Sequence, residues 1–343
     1  MGRKHNPLTA IDLFSGCGGL SAGLKLAGFR ILFAVEEDSS AADSYHLNHP
    51  DVDLIEEDIR HVNVVSELEE RGIGVGELDL LAACPPCQGF SSIRTLNASR
   101  KVADERNDLV LTVSKLVSSV RPRTIMFENV PGLRTDGRFS KLLRSLKRDR
   151  YDVRWKIVDA VDFGVPQYRR RLILLASRVG IVKMPRRSRT IKTVADAISD
   201  LPVPSPHFTD ALHRSNKRTA RVETIIRAIP KNGGSRSALP RELVLDCHRR
   251  TTGFRDVYGR LSWDAPANTI TSGCTNPSKG RFLHPDQHRV LTLREAALLQ
   301  GFPKHYKFPS LTKTEIARQI GNAIPPPFAR AQALALVDNL ESY

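Results

Sequence analysis

From residue 9 to about residue 178 the chain alternates short apolar, β-rich runs with segments of helical period, and this alternation constrains the fold more than any other feature. TAIDLFS is followed by a helical pattern over residues 20–27, ILFAVE by one over 41–47, LDLLAAC by one over 109–117, and TIMFENV by one over 139–146, before a last apolar run, LILLAS. Strand, helix and strand in succession need crossover connections, which build a mostly parallel sheet covered by helices on both faces. The amino-terminal half therefore reads as a doubly wound α/β domain. Beyond Arg178 the texture changes to Pro, Ser, Arg and His, as in MPRRSRT and LPVPSPHFTD, with no sustained period. A smaller, irregular domain is expected over residues 183–310, with residues 1–182 and 311–343 forming the α/β domain. A helical pattern over 329–340 is placed to return to it.

Charge narrows the function classes. The chain carries 52 Lys and Arg against 37 Asp and Glu, a formal charge of +15. Residues 181–260 hold seventeen Lys and Arg against seven acids, so most of the excess belongs to the irregular segment. Such a concentration is the electrostatic footprint of a nucleic-acid binder. No apolar stretch approaches the roughly 18 residues of a membrane span. The amino terminus runs into a strand pattern with no signal-peptide core, so a cytoplasmic location is expected. Five cysteines, odd in number and irregularly spaced, read as reduced thiols rather than a disulfide framework.

The first strand pattern ends in Asp12-Leu13-Phe14-Ser15-Gly16-Cys17-Gly18-Gly19. A glycine-rich strand-to-helix turn lets the backbone approach a ligand and presents free N–H groups, which favours a nucleotide-like cofactor. Ser21 occupies the third glycine position of the dinucleotide fingerprint, so a nicotinamide or flavin is disfavoured. Glu36, ending the second strand about twenty residues on, is placed to accept hydrogen bonds from ribose hydroxyls. Asp58 is suitably placed for an adenine amino group. A tight structural turn and solvated acids are the plainer alternatives.

Cys84-Pro85-Pro86-Cys87-Gln88-Gly89-Phe90-Ser91 follows the apolar strand LDLLAA and so lies at a strand's carboxyl end, where open α/β sheets place their ligands. Cys87 is the candidate nucleophile for covalent catalysis. An inert buried thiol and a C-x-x-C redox or metal pair compete with that reading, although no second C-x-x-C completes a zinc site. Glu128 in ENV ends another strand and is expected beside Cys87. In QYRRR, alternation puts Arg169 and Arg171 on one face of the next strand, where guanidinium groups can hold a carbonyl or a phosphate.

Taken in order, DLFSGCGG, Glu36, Asp58, PPCQGFS, ENV, QYRRR, RVLTLREAALLQGFP and QIGNAIPPP resemble the DNA (cytosine-5)-methyltransferases of bacterial restriction-modification systems, across nearly the whole chain. The resemblance implies a Rossmann-like, S-adenosylmethionine-dependent catalytic domain with a target-recognition domain. It implies a cofactor pocket of Phe14, Ser15, Gly16, Cys17, Gly18, Gly19, Glu36, Glu37, Asp58, Ile59, Pro86, Leu109, Asn322 and Ala323. Glu37 stands where relatives often place a bulky apolar or aromatic residue against the adenine. Cys87 would attack cytosine C6, Glu128 would meet N3, and Arg169 and Arg171 would assist at a base flipped from double-stranded DNA. DNA contacts are expected at Ser91, Gln167, Thr251, Thr252, Gly253 and Arg255. A monomer sharing its site with a cognate restriction endonuclease, and no metal, are also implied.

The tRNA cytosine-5 methyltransferases share most of these motifs, but typically carry a Cys-Phe-Thr signature and little recognition domain. Neither suits this sequence. A C-x-x-C redox protein is the remoter alternative.

Overall fold

A computed structural model describes residues 7–86, 108–245, 256–309 and 312–342. The chain divides into two compact units. One comprises Met1–Asp159, Arg170–Arg187 and Ile324–Tyr343, the other Ala160–Arg169 and Ser188–Ala323. Where the sequence placed the transitions at 183 and 311, the structure places them at 188 and 324, and it gives the short segment Ala160–Arg169 to the second unit.

The first unit is built on seven strands: β1 (Thr9–Leu13), β2 (Arg30–Val35), β3 (Asp53–Ile55), β4 (Leu80–Ala83), β5 (Thr124–Asn129), β6 (Asp152–Asp159) and β7 (Arg170–Ser177). Their order is β3-β2-β1-β4-β5-β7-β6. Neighbours among β1 to β5 run parallel, whereas β7 is antiparallel to both β5 and β6. Helices α1 (Gly19–Leu26), α2 (Ser39–Asn48), α3 (Val64–Glu70), α4 (Leu109–Val120) and α5 (Gly137–Arg148) connect them. β1, β4 and β5 are buried along their whole length, which explains why they read as continuous apolar runs rather than alternating ones. Their residues Ile11, Leu81 and Phe127 share one core with Val113 of α4 and Phe139 of α5.

The chain first winds outward from β1 to β3, then returns to place β4 on β1's other side. Ligands of open α/β sheets bind at the carboxyl ends of strands flanking such a switch. The glycine loop leaves β1 there, and Cys84-Pro85-Pro86 leaves β4.

The second unit has short helices, α6 (Val194–Ile198), α7 (Ala220–Ala228), α8 (Leu293–Leu299) and α9 (Lys313–Asn322). Among its described residues, β pairing is limited to isolated bridges such as Arg260 with Leu283. Capping boxes start α6, α8 and α9, each pairing a threonine with an acid three residues on.

The last helix, α10 (Pro326–Glu341), belongs to the first unit and packs on α1. The approach is close: a Cβ on Gly23 would lie 2.5 Å from Ala329 Cβ and 2.7 Å from Pro326 O. Among the described residues no helix is long and apolar enough to cross a membrane, and no group of three or more acids, histidines or cysteines is placed to hold a metal.

Candidate active site

Between β1 and α1 the backbone turns left-handed at Phe14 (φ 64°), Gly16 (φ 55°) and Gly18 (φ 91°). A Cβ on Gly16 would meet nothing within 4 Å, so backbone conformation rather than crowding calls for glycine there, and the loop faces open space. The loop is fastened from outside. Ser15 N–H donates to Val35 O of β2 at 3.1 Å, and Gly16 N–H donates to Glu36 Oε2 at 2.8 Å. The other Glu36 oxygen accepts the Asp38 N–H at 2.9 Å, and burial raises the pKa of this carboxyl above its ordinary value.

The other expected pocket residues differ in character. Phe14 packs its side chain against the core, and Ile59 and Leu109 lie within it. Pro86 is half-buried, Glu37 exposed. Burial pushes the Cys17 thiol up to about 12, so it stays protonated. Asp58 does not stand open: Arg60 Nε contacts its two oxygens at 3.0 and 2.9 Å, and that hydrogen bonding lowers its pKa. Asn322 and Ala323 close α9 in the second unit.

Two buried oxygens at the loop lack a partner among the described residues: Asp12 Oδ1 and Ser15 Oγ. Burial raises the Asp12 carboxyl to about 7. Sequence reasoning passed over Asp12 as part of a strand. Its signal was an acid inside an otherwise apolar β1.

At the neighbouring edge, β4 lies between β1 and β5, with Ala83 opposite Leu13 and Phe127. Asn129 of ENV donates from Nδ2 to the carbonyl of Pro85 at 3.1 Å, while its Oδ1 accepts the Val130 N–H at 2.9 Å. ENV is thereby bound to the segment leading into Cys87. Glu128 is 9% exposed, and its Oε1 lies 2.8 Å from Arg171 Nε. Cys87 itself lies outside the described residues, as do Ser91, Thr251, Thr252, Gly253 and Arg255.

The two arginines expected on one face do different work. Arg171 meets Glu128, whereas Arg169 is 1% exposed and donates to the carbonyls of Ile270, Gly321 and Ala323. The expectation that Arg169 attends the base is corrected: its guanidinium braces carbonyls inside the second unit. Gln167 is corrected likewise. It is fully buried, donating to Leu299 O at 3.0 Å and to Gln300 Oε1 and accepting from Ile270 N–H at 3.0 Å, so its amide is not offered to DNA. Arg260, also fully buried, donates to the carbonyls of Ile226, Ile229, His284 and Gln287. In a unit poor in regular hydrogen bonding, buried arginines satisfy carbonyls that strands would otherwise pair. An open cleft of about 260 Å³ in this unit is lined by Asn268, Thr269, Thr271, Lys279 and Arg281, among others.

The family model for C-5 cytosine-specific DNA methylases matches residues 8–338. The Type II methylase M.HgiDII of Herpetosiphon aurantiacus is 34% identical over 350 residues, covering 96% of this chain and 95% of that protein. The Type II methyltransferase M1.BsuMI of Bacillus subtilis (strain 168) is 34% identical over 345 residues, covering 94% and 79%. A solved Escherichia coli prophage protein, described as a DNA modification methyltransferase, superposes with a TM-score of 0.71 at 27% identity, covering 97% of this chain and 99% of that one. Fold and likeness define the class, a Rossmann-like methyltransferase. Within it, the chain belongs to the C-5 cytosine-specific DNA methylase family, and the activity is that of a DNA cytosine-5 methyltransferase.

Proposed function

We propose that this chain transfers a methyl group from S-adenosylmethionine to C5 of a cytosine flipped out of a specific double-stranded DNA sequence, through a covalent bond between Cys87 and C6. The observation that carries this reading is the Glu128–Arg171 pair beside an Asn129 side chain bound to the Pro85 carbonyl. It sets a carboxyl and a guanidinium together at the strand edge that leads into Cys87.

The residues of the loop fit the cofactor: a carboxyl at Glu36 for ribose hydroxyls, open space at Gly16, and two buried oxygens without protein partners among the described residues. Phe14, Ile59, Pro86 and Leu109 of the first unit would complete the pocket. When bound, S-adenosylmethionine supplies a methyl carbon made electrophilic by its sulfonium. Cys87 as thiolate would add to C6, which makes C5 nucleophilic toward the methyl carbon that S-adenosylmethionine would supply, with its thioether as the leaving group. Glu128, oriented by Arg171, hydrogen-bonds the N3 side of the ring and stabilises the charge that gathers there. Transfer of the C5 proton to water and departure of Cys87 as thiolate would restore the aromatic base. Flipping the base gives access to both reacting carbons.

The second unit reads DNA in this account. Its excess of Lys and Arg holds phosphates, while the cleft containing Asn268, Thr271 and Lys279 offers groups for base edges. Relatives called Type II methylases support a role in protecting a site from a cognate restriction endonuclease. The test is Cys87→Ser with a cognate duplex: methyl transfer is expected to vanish while duplex binding persists. Transfer at near wild-type rate would overturn the mechanism.

A further inference from the structure

The glycine loop is held from α2 as well as from β2, and the contacts form one connected set. Asp12 of β1, Ser21 of α1 and Tyr45 of α2 are each completely buried. Ser21 Oγ lies 2.7 Å from Asp12 Oδ2 and 2.8 Å from Tyr45 Oη. Because the single Ser21 proton goes to the carboxyl, the Tyr45 hydroxyl donates to Ser21, giving a directed chain from Tyr45 through Ser21 to Asp12. One turn further along, the ring of His49 lies 4.7 Å from that of Tyr45, and its Nε2 is 3.1 Å from the carbonyl of Gly18. A carbonyl only accepts, so Nε2 carries the proton. Burial lowers the His49 pKa to about 4, leaving a neutral ring.

We infer that Tyr45 and His49, through Ser21, Asp12 and Gly18, are positioning residues that hold the glycine loop in the shape that receives the cofactor. Three left-handed residues within five make this a loop that local preference alone does not fix. Glu36 and Val35 fasten its first half, at Gly16 and Ser15. His49 fastens its second half at Gly18, and the Tyr45 chain locks Asp12, from which the loop departs, to Ser21, into which it runs. Losing Tyr45 Oη removes the hydrogen bond that Ser21 accepts and leaves the Ser21–Asp12 bond, so the tie between the two ends of the loop persists without the hydroxyl that orients it.

The inference rests on the reading of this loop as the S-adenosylmethionine site. Calorimetric binding of S-adenosylhomocysteine tests both separately. If the wild-type chain does not bind this probe, the reading of the loop fails. If it binds, Tyr45→Phe is expected to weaken it about tenfold, as for loss of one buried hydrogen bond, and to raise KM for S-adenosylmethionine in step while kcat at saturating cofactor stays within about twofold. His49→Gln, which can still present an N–H to Gly18, is expected to bind close to wild type, and His49→Ala several-fold more weakly. These His49 variants decide the matter should Tyr45→Phe not fold. Affinities within about twofold of wild type in Tyr45→Phe and His49→Ala, with only the melting temperature lowered, would overturn the positioning role.

Discussion

Gly23→Ala probes the packing that brings the last helix back onto the first. The added Cβ would lie 2.5 Å from Ala329 Cβ, 2.7 Å from Pro326 O and 2.9 Å from Arg330 N. Carbon atoms settle at about 3.5–4.0 Å, so α10 must move by about 1 Å. Two of the three obstacles are backbone atoms, which no rotamer change can clear. Overpacking of this kind costs about 1–3 kcal/mol, and the better helix propensity of alanine returns up to about 1 kcal/mol. A net loss of about 1–2 kcal/mol follows, which corresponds to a melting temperature lower by a few degrees. Thermal and urea melts of the purified protein measure it. Adding Ala329→Gly should recover part of the loss, because it removes the Cβ contact and leaves Pro326 O in place. A Gly23→Ala protein as stable as wild type would refute this account of the α1–α10 contact.

Asp12→Asn tests the buried carboxyl by its pH dependence. The folded pKa of about 7 lies above the ordinary aspartate value of 3.8, so the contribution of Asp12 is full below about pH 4 and is lost as pH rises from there through 7. Measured against the Asp12→Asn variant, wild type should lose roughly 2–3 kcal/mol between pH 5 and pH 8, at about 1.36 kcal/mol per pH unit up to the folded pKa; a difference constant with pH would contradict it. Arg171→Lys keeps the charge but removes the Nε contact to Glu128, and turnover should fall at least tenfold with duplex affinity little changed. Gln167→Ala leaves the Ile270 N–H and the Leu299 carbonyl without their partner, so urea melts should show a loss of about 1–3 kcal/mol. A weakened DNA complex at unchanged stability would restore Gln167 to the interface.

Where burial makes a run apolar, the strand was legible: β1, β2, β4, β5 and β7 coincide with TAIDL, RILFAV, LLAA, TIMFEN and RRLILLAS. β3 has three residues and β6 is an edge strand exposed at Arg154, Trp155 and Lys156, so neither presents such a run. The antiparallel setting of β7 was out of reach because it depends on partners distant in sequence. At the site, Glu36 and Glu128 stood out because strands end at them. Gln167 and Arg169 misled because a polar run resembles a solvated edge, and only the tertiary structure supplies the carbonyls that let these side chains be buried. Asp12, Ser21, Tyr45 and His49 come from three elements, and no local spacing announces their contact.

Methylation of an unmethylated plasmid by the purified protein and S-adenosylmethionine, followed by nucleoside mass spectrometry and bisulfite sequencing, identifies the base, the atom and the sequence that receive the methyl group. The expected product is 5-methyl-2′-deoxycytidine at one fixed position in every copy of a single short sequence. Methyl groups on cytosine N4 or adenine N6, or on tRNA with the plasmid left unmodified, would contradict the proposed function.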